Sequence, residues 1–287
     1  MHFKELLKNT LPEKDIELIP RAFEVVGDIA IIEPDDAQKY AKDIANALLQ
    51  AQKNVHIVLL KTGDVKGKYR IPKYKVLAHK ERDFSNVPKW ASKLQTLTET
   101  IHTESGCRLK LDLAKTYFSG KLSGERARIT ELAKDRENIL IMFAGAGPFP
   151  IVIAKKRDVK ITAVEINPDA VIMLKDNVKI NRVEDRITIL EGDVAKTVPL
   201  LEEKFNRIVM PAPKDAPAFL GLALSKIKAG GTIHLYSFAG EEETDCLKKK
   251  VLKECKAAGK KCKILLARRC GNIGVRQYRI VIDILVK

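Results

Sequence analysis

Long hydrophobic runs are missing from this chain. No stretch reaches the ~18 apolar residues that a membrane-crossing helix needs, and no signal peptide precedes the first charged helical pattern, so no membrane role is expected and the cytoplasm is the expected place of work. Paired cysteines are missing too. The five cysteines, at 107, 246, 255, 262 and 270, include no Cys-x-x-Cys; reduced thiols are expected, with neither a disulfide frame nor a zinc site, and no metal is assigned. No internal repeat and no low-complexity tract is visible. Negative charge is comparatively scarce, 37 Asp plus Glu standing against 52 Lys plus Arg for a net +15. The excess is spread along the whole length, which points to a polyanionic partner, and RNA is favoured over membrane. The alternative is a lysine-rich solvated surface from a hot-growing organism. With 287 residues and 45% hydrophobic content, the chain can hold one large packed domain or two of ordinary size.

What is present is organised around residues 139–194. Ile139-Leu-Ile-Met-Phe-Ala-Gly-Ala-Gly-Pro-Phe149 is an apolar run that breaks into Gly-x-Gly and then a helical pattern, as a buried parallel strand does when it turns tightly into a helix. The glycines let the backbone approach a ligand. About twenty residues on, a second apolar strand ends in Glu165, placed to accept both hydroxyls of a ribose. A third strand leads to Asp193, which can take the exocyclic amine of an adenine. The dinucleotide fingerprint Gly-x-Gly-x-x-Gly fails at its third glycine, because Pro150 stands there. The shorter loop, with Phe143, Gly145, Gly147, Pro148 and Phe149, fits S-adenosyl-L-methionine, which has no diphosphate to cradle. A strand-to-helix turn with no ligand is the alternative.

Ahead of this stretch the pattern is strand, strand, helix, strand: two strands or one turning at Gly27-Asp28 over 23–33, a helix from Pro34 to about Gln52, and a strand over 56–60. The loop 61–75 is crowded with cations and carries two tyrosines, a mixture that binds phosphates and stacks bases; otherwise it is a solvated hairpin tip. Residues 98–112 alternate about Ser105-Gly106 and predict a hairpin on which His102 reads as structural. Ser123 or Gly124 can cap a helix from Glu125 to about Ala133, which places Glu125 and Arg126 at a helix N-terminus near the expected ligand. A strand over 205–210 precedes the turn Pro211-Ala-Pro213, a helix is expected over 216–227, a Gly230-Gly231 turn and a strand over 232–236 follow, then a helix over 241–259, a strand over 262–267, and a last antiparallel strand over 276–285 that closes the sheet. The fold class is α/β: a Rossmann-like class I methyltransferase domain, residues 116–287, preceded by a small α/β RNA-binding domain, residues 1–115.

Asp112-x-Ala-Lys-x-Tyr-Phe-Ser119, Leu122-x-x-Glu-Arg126, the glycine loop, Ile166-Asn-Pro168 and Gly192-Asp-Val194 together resemble the archaeal tRNA (guanine-37 N1)-methyltransferase family over roughly residues 60–287. The resemblance implies methyl transfer from S-adenosyl-L-methionine to N1 of guanosine 37, with the anticodon stem-loop of tRNA as partner and a monomer at work. It implies that Glu125 is the general base, that Tyr117 and Lys121 match positions used for the flipped guanine, that Arg126 lies against the cofactor, and that Glu165, Ile166, Asp193 and Val194 contact its adenosine. Arg70 resembles an arginine that stabilises charge on O6. Three departures stand out: lysine replaces the family's usual arginine at Lys121, Pro211-Ala-Pro213 replaces an Asn-Pro-Pro or Asn-Leu-Pro motif beside the guanine, and the N-terminal module that grips the tRNA corner in many members is expected to be missing. Gly67-x-Tyr-Arg-x-Pro-x-x-Lys75 and Thr98-Glu-Thr-Ile-His-x-Glu-x-Gly-Cys107 lean towards a sister family, the wybutosine-pathway enzymes that transfer the aminocarboxypropyl group of the same cofactor. A weakly active paralogue that binds RNA without modifying it is a third possibility.

Overall fold

The computed structural model describes residues 3–8, 10–19, 23–33, 35–82, 94–212, 214, 216–274 and 276–287, apart from the side chains of 35, 36 and 64–66. The chain divides into two compact units, Met1–Glu104 with Arg108–Gly120, and Ser105–Cys107 with Lys121–Lys287.

The first unit begins with short helices α1 (Phe3–Leu7) and α2 (Glu13–Ile16), followed by strands β1 (Glu24–Val26) and β2 (Ile29–Ile32). Gly27 turns the chain between these strands with φ 59°, and a Cβ there would meet Thr100 Oγ1 at 2.1 Å. The helix expected from Pro34 starts as a 3-10 segment, Asp35–Tyr40, broken at Ala37, before α3 (Ala41–Ala51); Pro34 lies outside the described residues. Strand β3 (Ile57–Lys66) pairs in parallel with β2 and antiparallel with β4 (Ile71–His79), giving the sheet order β1-β2-β3-β4. The cationic segment expected as a loop is thus mostly strand, and only Gly67–Arg70 turns. Its alternating small, cationic and aromatic residues satisfy their backbone groups across a hairpin even though one face is wet. Ile44 and Leu48 of α3 pack with Ala30, Val58 and Leu60 in the core of this unit. Strands β5 (Glu99–Glu104) and β6 (Cys107–Asp112) form the expected hairpin about Ser105-Gly106, both residues in the left-handed region. His102 is structural: its Nδ1 accepts from Gly27 N at 3.2 Å, its Nε2 pairs with Glu104 at 3.3 Å, and its ring lies against Phe118.

In the second unit, α4 (Ser123–Leu132) leads to β7 (Asn138–Met142), α5 (Pro148–Lys156), β8 (Lys160–Glu165), α6 (Pro168–Asn181), β9 (Ile187–Glu191), α7 (Val194–Thr197), β10 (Phe205–Met210), α8 (Leu220–Lys226), β11 (Ile227–Gly240), α9 (Thr244–Ala257), β12 (Cys262–Gly274) and β13 (Gln277–Val286). The seven-stranded sheet has the order β12-β13-β11-β10-β7-β8-β9. Parallel pairing runs from β9 to β11, while β13 is antiparallel to both β11 and β12. This is the doubly wound class I methyltransferase order, reversing direction at β7 where ligands bind.

Four expectations need correcting here. The last strand does not close the sheet: β13 lies between β11 and β12, and β12 is the edge. Gly230-Gly231 does not end a turn before a separate strand, because β11 already pairs with β10 at Ile227 and residues 228–231 bulge out before Thr232 meets Arg207. Gly231 fits there because a Cβ would sit 2.8 Å from Asn206 O. The helix expected over 216–227 opens as a 3-10 turn, Ala216–Phe219. Finally, α4 begins at Ser123 with Leu122 as its N-cap and no side-chain cap, so Ser123 and Gly124 are inside the helix rather than capping it. Among the described residues no helix is long and apolar enough to cross a membrane.

Candidate active site

Strand β7, buried from Ile139 onward, runs out at Met142, and the next residue, Phe143, has φ 64°. An aromatic residue in the left-handed region is costly and persists only where its surroundings hold it. Ala144 N donates to Val164 O at 2.9 Å, and the Phe143 ring meets Phe219 edge-on at 5.4 Å, so both backbone and side chain are held. Gly145 and Gly147 are also left-handed, with φ 57° and 91°. Gly147 is the N-cap of α5, Pro148 is its first residue, and a Cβ on Gly147 would come within 2.2 Å of Leu174 Cδ1. That glycine therefore serves the packing of α5 on α6 as much as any ligand.

Glu165, the last residue of β8, folds back onto this loop. Its Oε2 accepts from Gly145 N at 2.7 Å, and Oε1 from Ile166 N at 2.9 Å and Asn167 N at 2.8 Å. Burial raises its pKa, and the three backbone donors oppose that rise. Asp193 caps α7 through Oδ1, which accepts from Ala195 N at 2.9 Å, and the neighbouring Val194 is buried. Ile166 is half-buried after β8, and Pro211 is half-buried after β10. Pro213 lies outside the described residues. The buried carboxylate that ends β8, the half-buried Asp193 after β9 and the glycine loop after β7 make a donor set that could hold the ribose and adenine of an adenosine cofactor, at the carboxyl ends of parallel strands.

Beside the loop lies a buried polar cluster. Glu125, 3% exposed, accepts at Oε2 from Arg128 Nη2 at 2.8 Å, Arg128 Nε at 3.0 Å and the Tyr236 hydroxyl at 2.9 Å. Its Oε1 accepts from Arg268 Nη2, with Arg128 Nε farther away at 3.3 Å. Arg128 also donates to Asp283, Nη1 to Oδ2 at 2.6 Å. Burial works against its charge, but the hydrogen bonds to Asp283 and Glu125 outweigh it and the pKa is raised. Asp283 Oδ1 lies 2.6 Å from His234 Nδ1, and His234 Nε2 lies 2.6 Å from Arg207 Nη1. Since a guanidinium only donates, Nε2 must be the acceptor and the proton sits on Nδ1, facing Asp283. Burial lowers the His234 pKa, consistent with that neutral ring. Burial pushes Asp283 up, yet its partners win and hold it at about 2. The Tyr236 phenol, pushed well above its usual range by burial and then by Glu125, stays protonated. Its ring meets Phe149 edge-on at 5.9 Å, and the buried Arg126 lies over the Phe149 ring at 5.9 Å.

The TRM5/TYW2 methyltransferase domain matches residues 100–267, and the TYW2 N-terminal domain matches residues 3–81. The chain belongs to the TRM5/TYW2 methyltransferase family. It is 38% identical over 278 residues, 96% of this chain and 78% of the relative, to the tRNA (guanine(37)-N(1))-methyltransferase Trm5b of Pyrococcus abyssi. A solved complex of aTrm5 with tRNALeu superposes with a TM-score of 0.81 at 32% identity, covering 100% of this chain and 78% of that one. The tRNA(Phe) (4-demethylwyosine(37)-C(7)) aminocarboxypropyltransferase of Pyrococcus horikoshii is 30% identical over 240 residues, 83% of this chain and 79% of the relative.

For a TRM5/TYW2 domain, the second unit brings together Glu125, Arg126 and Phe149 as one group and Gly145 with Glu165 as another. Lys121, in the 3-10 turn Gly120–Leu122, is exposed. Two expected residues belong to the first unit: Tyr117, 43% exposed, and Arg70, which closes the β3–β4 turn with φ 55°. Tyr236, His234, Asp283, Arg128 and Arg268 escaped the sequence reading. One signal was there for two of them: His234 and Asp283 each interrupt an apolar strand, and a charge inside such a run is expensive unless paired.

Proposed function

We propose that this protein transfers the methyl group of S-adenosyl-L-methionine to N1 of guanosine 37 in tRNA. The observation that carries this reading is the 38% identity to a tRNA (guanine(37)-N(1))-methyltransferase along 96% of the chain. S-adenosyl-L-methionine supplies a methyl already activated on a positive sulfur, so the protein's tasks are to position the acceptor and remove one proton. In this reading Glu165 accepts from the ribose hydroxyls, Asp193 Oδ2 accepts from the adenine amine, and Ile166 and Val194 flank the ring. Phe143, Gly145, Gly147, Pro148 and Phe149 form the loop beneath, with Arg126 behind Phe149. Glu125 takes the N1 proton of guanine, whose lone pair forms the new C–N bond as the sulfonium C–S bond breaks and leaves a neutral thioether. Tyr117, Lys121 and Arg70 hold the flipped base and the charge on O6, and Pro211 and Pro213 border it. Residues 1–115 are taken as the tRNA-contacting part and 116–287 as the catalytic part. The enzyme is proposed to work as a monomer in the cytoplasm, in keeping with five free cysteines among the described residues.

Purified protein given S-adenosyl-L-methionine and unmodified tRNA with guanosine 37 should yield N1-methylguanosine at that nucleotide alone. The Glu125→Gln variant should bind cofactor normally and lose about 10²- to 10⁴-fold in the methylation step, the usual worth of a general base. Failure to modify any tRNA would reject the function. Full activity of the variant would reject only the role of Glu125. The match of residues 3–81 to the TYW2 N-terminal domain favours a second reading, aminocarboxypropyl transfer from the same cofactor. Mass spectrometry of the modified nucleoside separates the two, since that group is far heavier than a methyl.

A further inference from the structure

Glu125 has its acceptor positions taken. A carboxylate offers about four lone-pair sites. Here Oε2 serves three donors, two from Arg128 and one from Tyr236, and Oε1 serves Arg268 together with the longer approach of Arg128 Nε. A base in this state has no direction left from which to receive a proton, so one donor must leave when a protonated ring nitrogen arrives. Arg128 is pinned from its far side by Asp283, which is itself held by His234. Tyr236 is fully buried, its ring packed on Phe149. Arg268 differs from both. It stands on the edge strand β12, its side chain is 45% exposed, and its hydrogen-bond partner among the described residues is Glu125.

We propose that Arg268 is a displaceable cover on Oε1 of Glu125: it neutralises the carboxylate in the free protein and swings off when the N1–H of the target base takes its place. This rests on the reading of Glu125 as the base. The groups facing Glu125 are Arg128 from its own helix, Tyr236 from β11, and Arg268 and the Cys270 thiol from β12, that thiol being pushed up to about 12 by burial and then by Glu125. Behind these stand Asp283 and Arg279 of β13 and His234 of β11. Of all these only Arg268 is both directly bonded to Glu125 and substantially exposed. The cover keeps a buried carboxylate paired while no base is bound. It also forces the entering base to compete with a cation, which penalises a nucleobase that has no N–H to offer at that position.

The proposal separates the free protein from the complex. The pH dependence of the methylation rate at limiting tRNA reports the free protein, with Arg268 in place, and the rate at saturating tRNA reports the complex, with Arg268 displaced. Both are measured in single-turnover conditions on full-length protein, for the parent, Arg268→Gln, Arg268→Lys and Glu125→Gln. Removing a neighbouring cation from a carboxylate favours its protonated form. In Arg268→Gln the acid limb at limiting tRNA should therefore move to higher pH, the limb at saturating tRNA should stay put, and Arg268→Lys should restore the parent profile. Movement of both limbs together would mean that Arg268 stays on Glu125 in the complex, and movement of neither would mean that it never governs the carboxylate; either result overturns the cover. Full turnover by Glu125→Gln would instead remove the base reading itself. An inactive Glu125→Gln together with an unsplit Arg268→Gln profile removes the cover alone.

Discussion

Glu165 ties the glycine loop to the turn after β8. Its two oxygens take three backbone N–H groups, one from the loop and two from the turn, and in the proposed reading the remaining acceptor capacity takes the ribose hydroxyls. An amide in its place has only one acceptor oxygen, so its NH₂ end would face an N–H donor. Glu165→Gln should therefore weaken both the loop and the hold on a ribose. Charged hydrogen bonds contribute about 1.5–3 kcal/mol, which corresponds to roughly 10- to 150-fold in Kd for S-adenosyl-L-methionine by titration calorimetry. Unchanged affinity would take this carboxylate out of the cofactor site. At this scale the sequence was informative where a residue type is tied to a strand end, as with Glu165 and Asp193. It was silent on Phe143, because nothing in an aromatic letter announces a left-handed backbone.

Between elements, the glycine loop and the β11–β13 pair matter most. Gly147 combines φ 91° with a Cβ position 2.2 Å from Leu174 Cδ1 and 2.9 Å from Ile151 Cδ1. Gly147→Ala must turn the tips of Leu174 and Ile151 aside while adopting an unfavourable left-handed backbone, and backbone strain of this kind costs about 1–3 kcal/mol. A drop of several degrees in Tm with loss of cofactor binding is expected, and a variant as stable as the parent would show that the left-handed backbone at this position carries no strain for a side chain. On β11 the period of two puts His234 and Tyr236 on one face, and antiparallel register sets His234 directly opposite Asp283 on β13. Segments some fifty residues apart in sequence thereby deliver adjoining parts of the Glu125 cluster. Such register is not legible in a single chain, because alternation says which residues share a face but not which strand comes alongside.

For the molecule as a whole, the buried cluster makes stability depend on pH. His234 is held neutral with a folded pKa below its ordinary 6.5, so its contribution is present above pH 6.5 and is lost as the pH falls and the unfolded chain takes up a proton first. Asp283 is lowered from 3.8 to about 2, so its contribution is present above pH 3.8 and is lost as the pH falls towards 2. Denaturant unfolding should thus show a first decline below pH 6.5, with a slope of at most ~1.4 kcal/mol per pH unit for one proton, and a second below pH 4. His234→Gln should flatten the first decline whatever it does to stability at pH 8. An equal slope in parent and variant would mean that His234 is not the neutral buried group.

By itself, the sequence determined the order of elements, the glycine loop and the carboxylates at the ends of β8 and β9, because each depends on local periodicity and turn chemistry within a few residues. Tertiary structure alone decided that β13 inserts between β11 and β12, that Glu125 is surrounded by donors from α4, β11 and β12, and that Arg268 bonds its Oε1 from the sheet edge. Those facts depend on which distant segments lie side by side, and that is settled by pairing every buried strand and charge at once rather than by any stretch of residues alone.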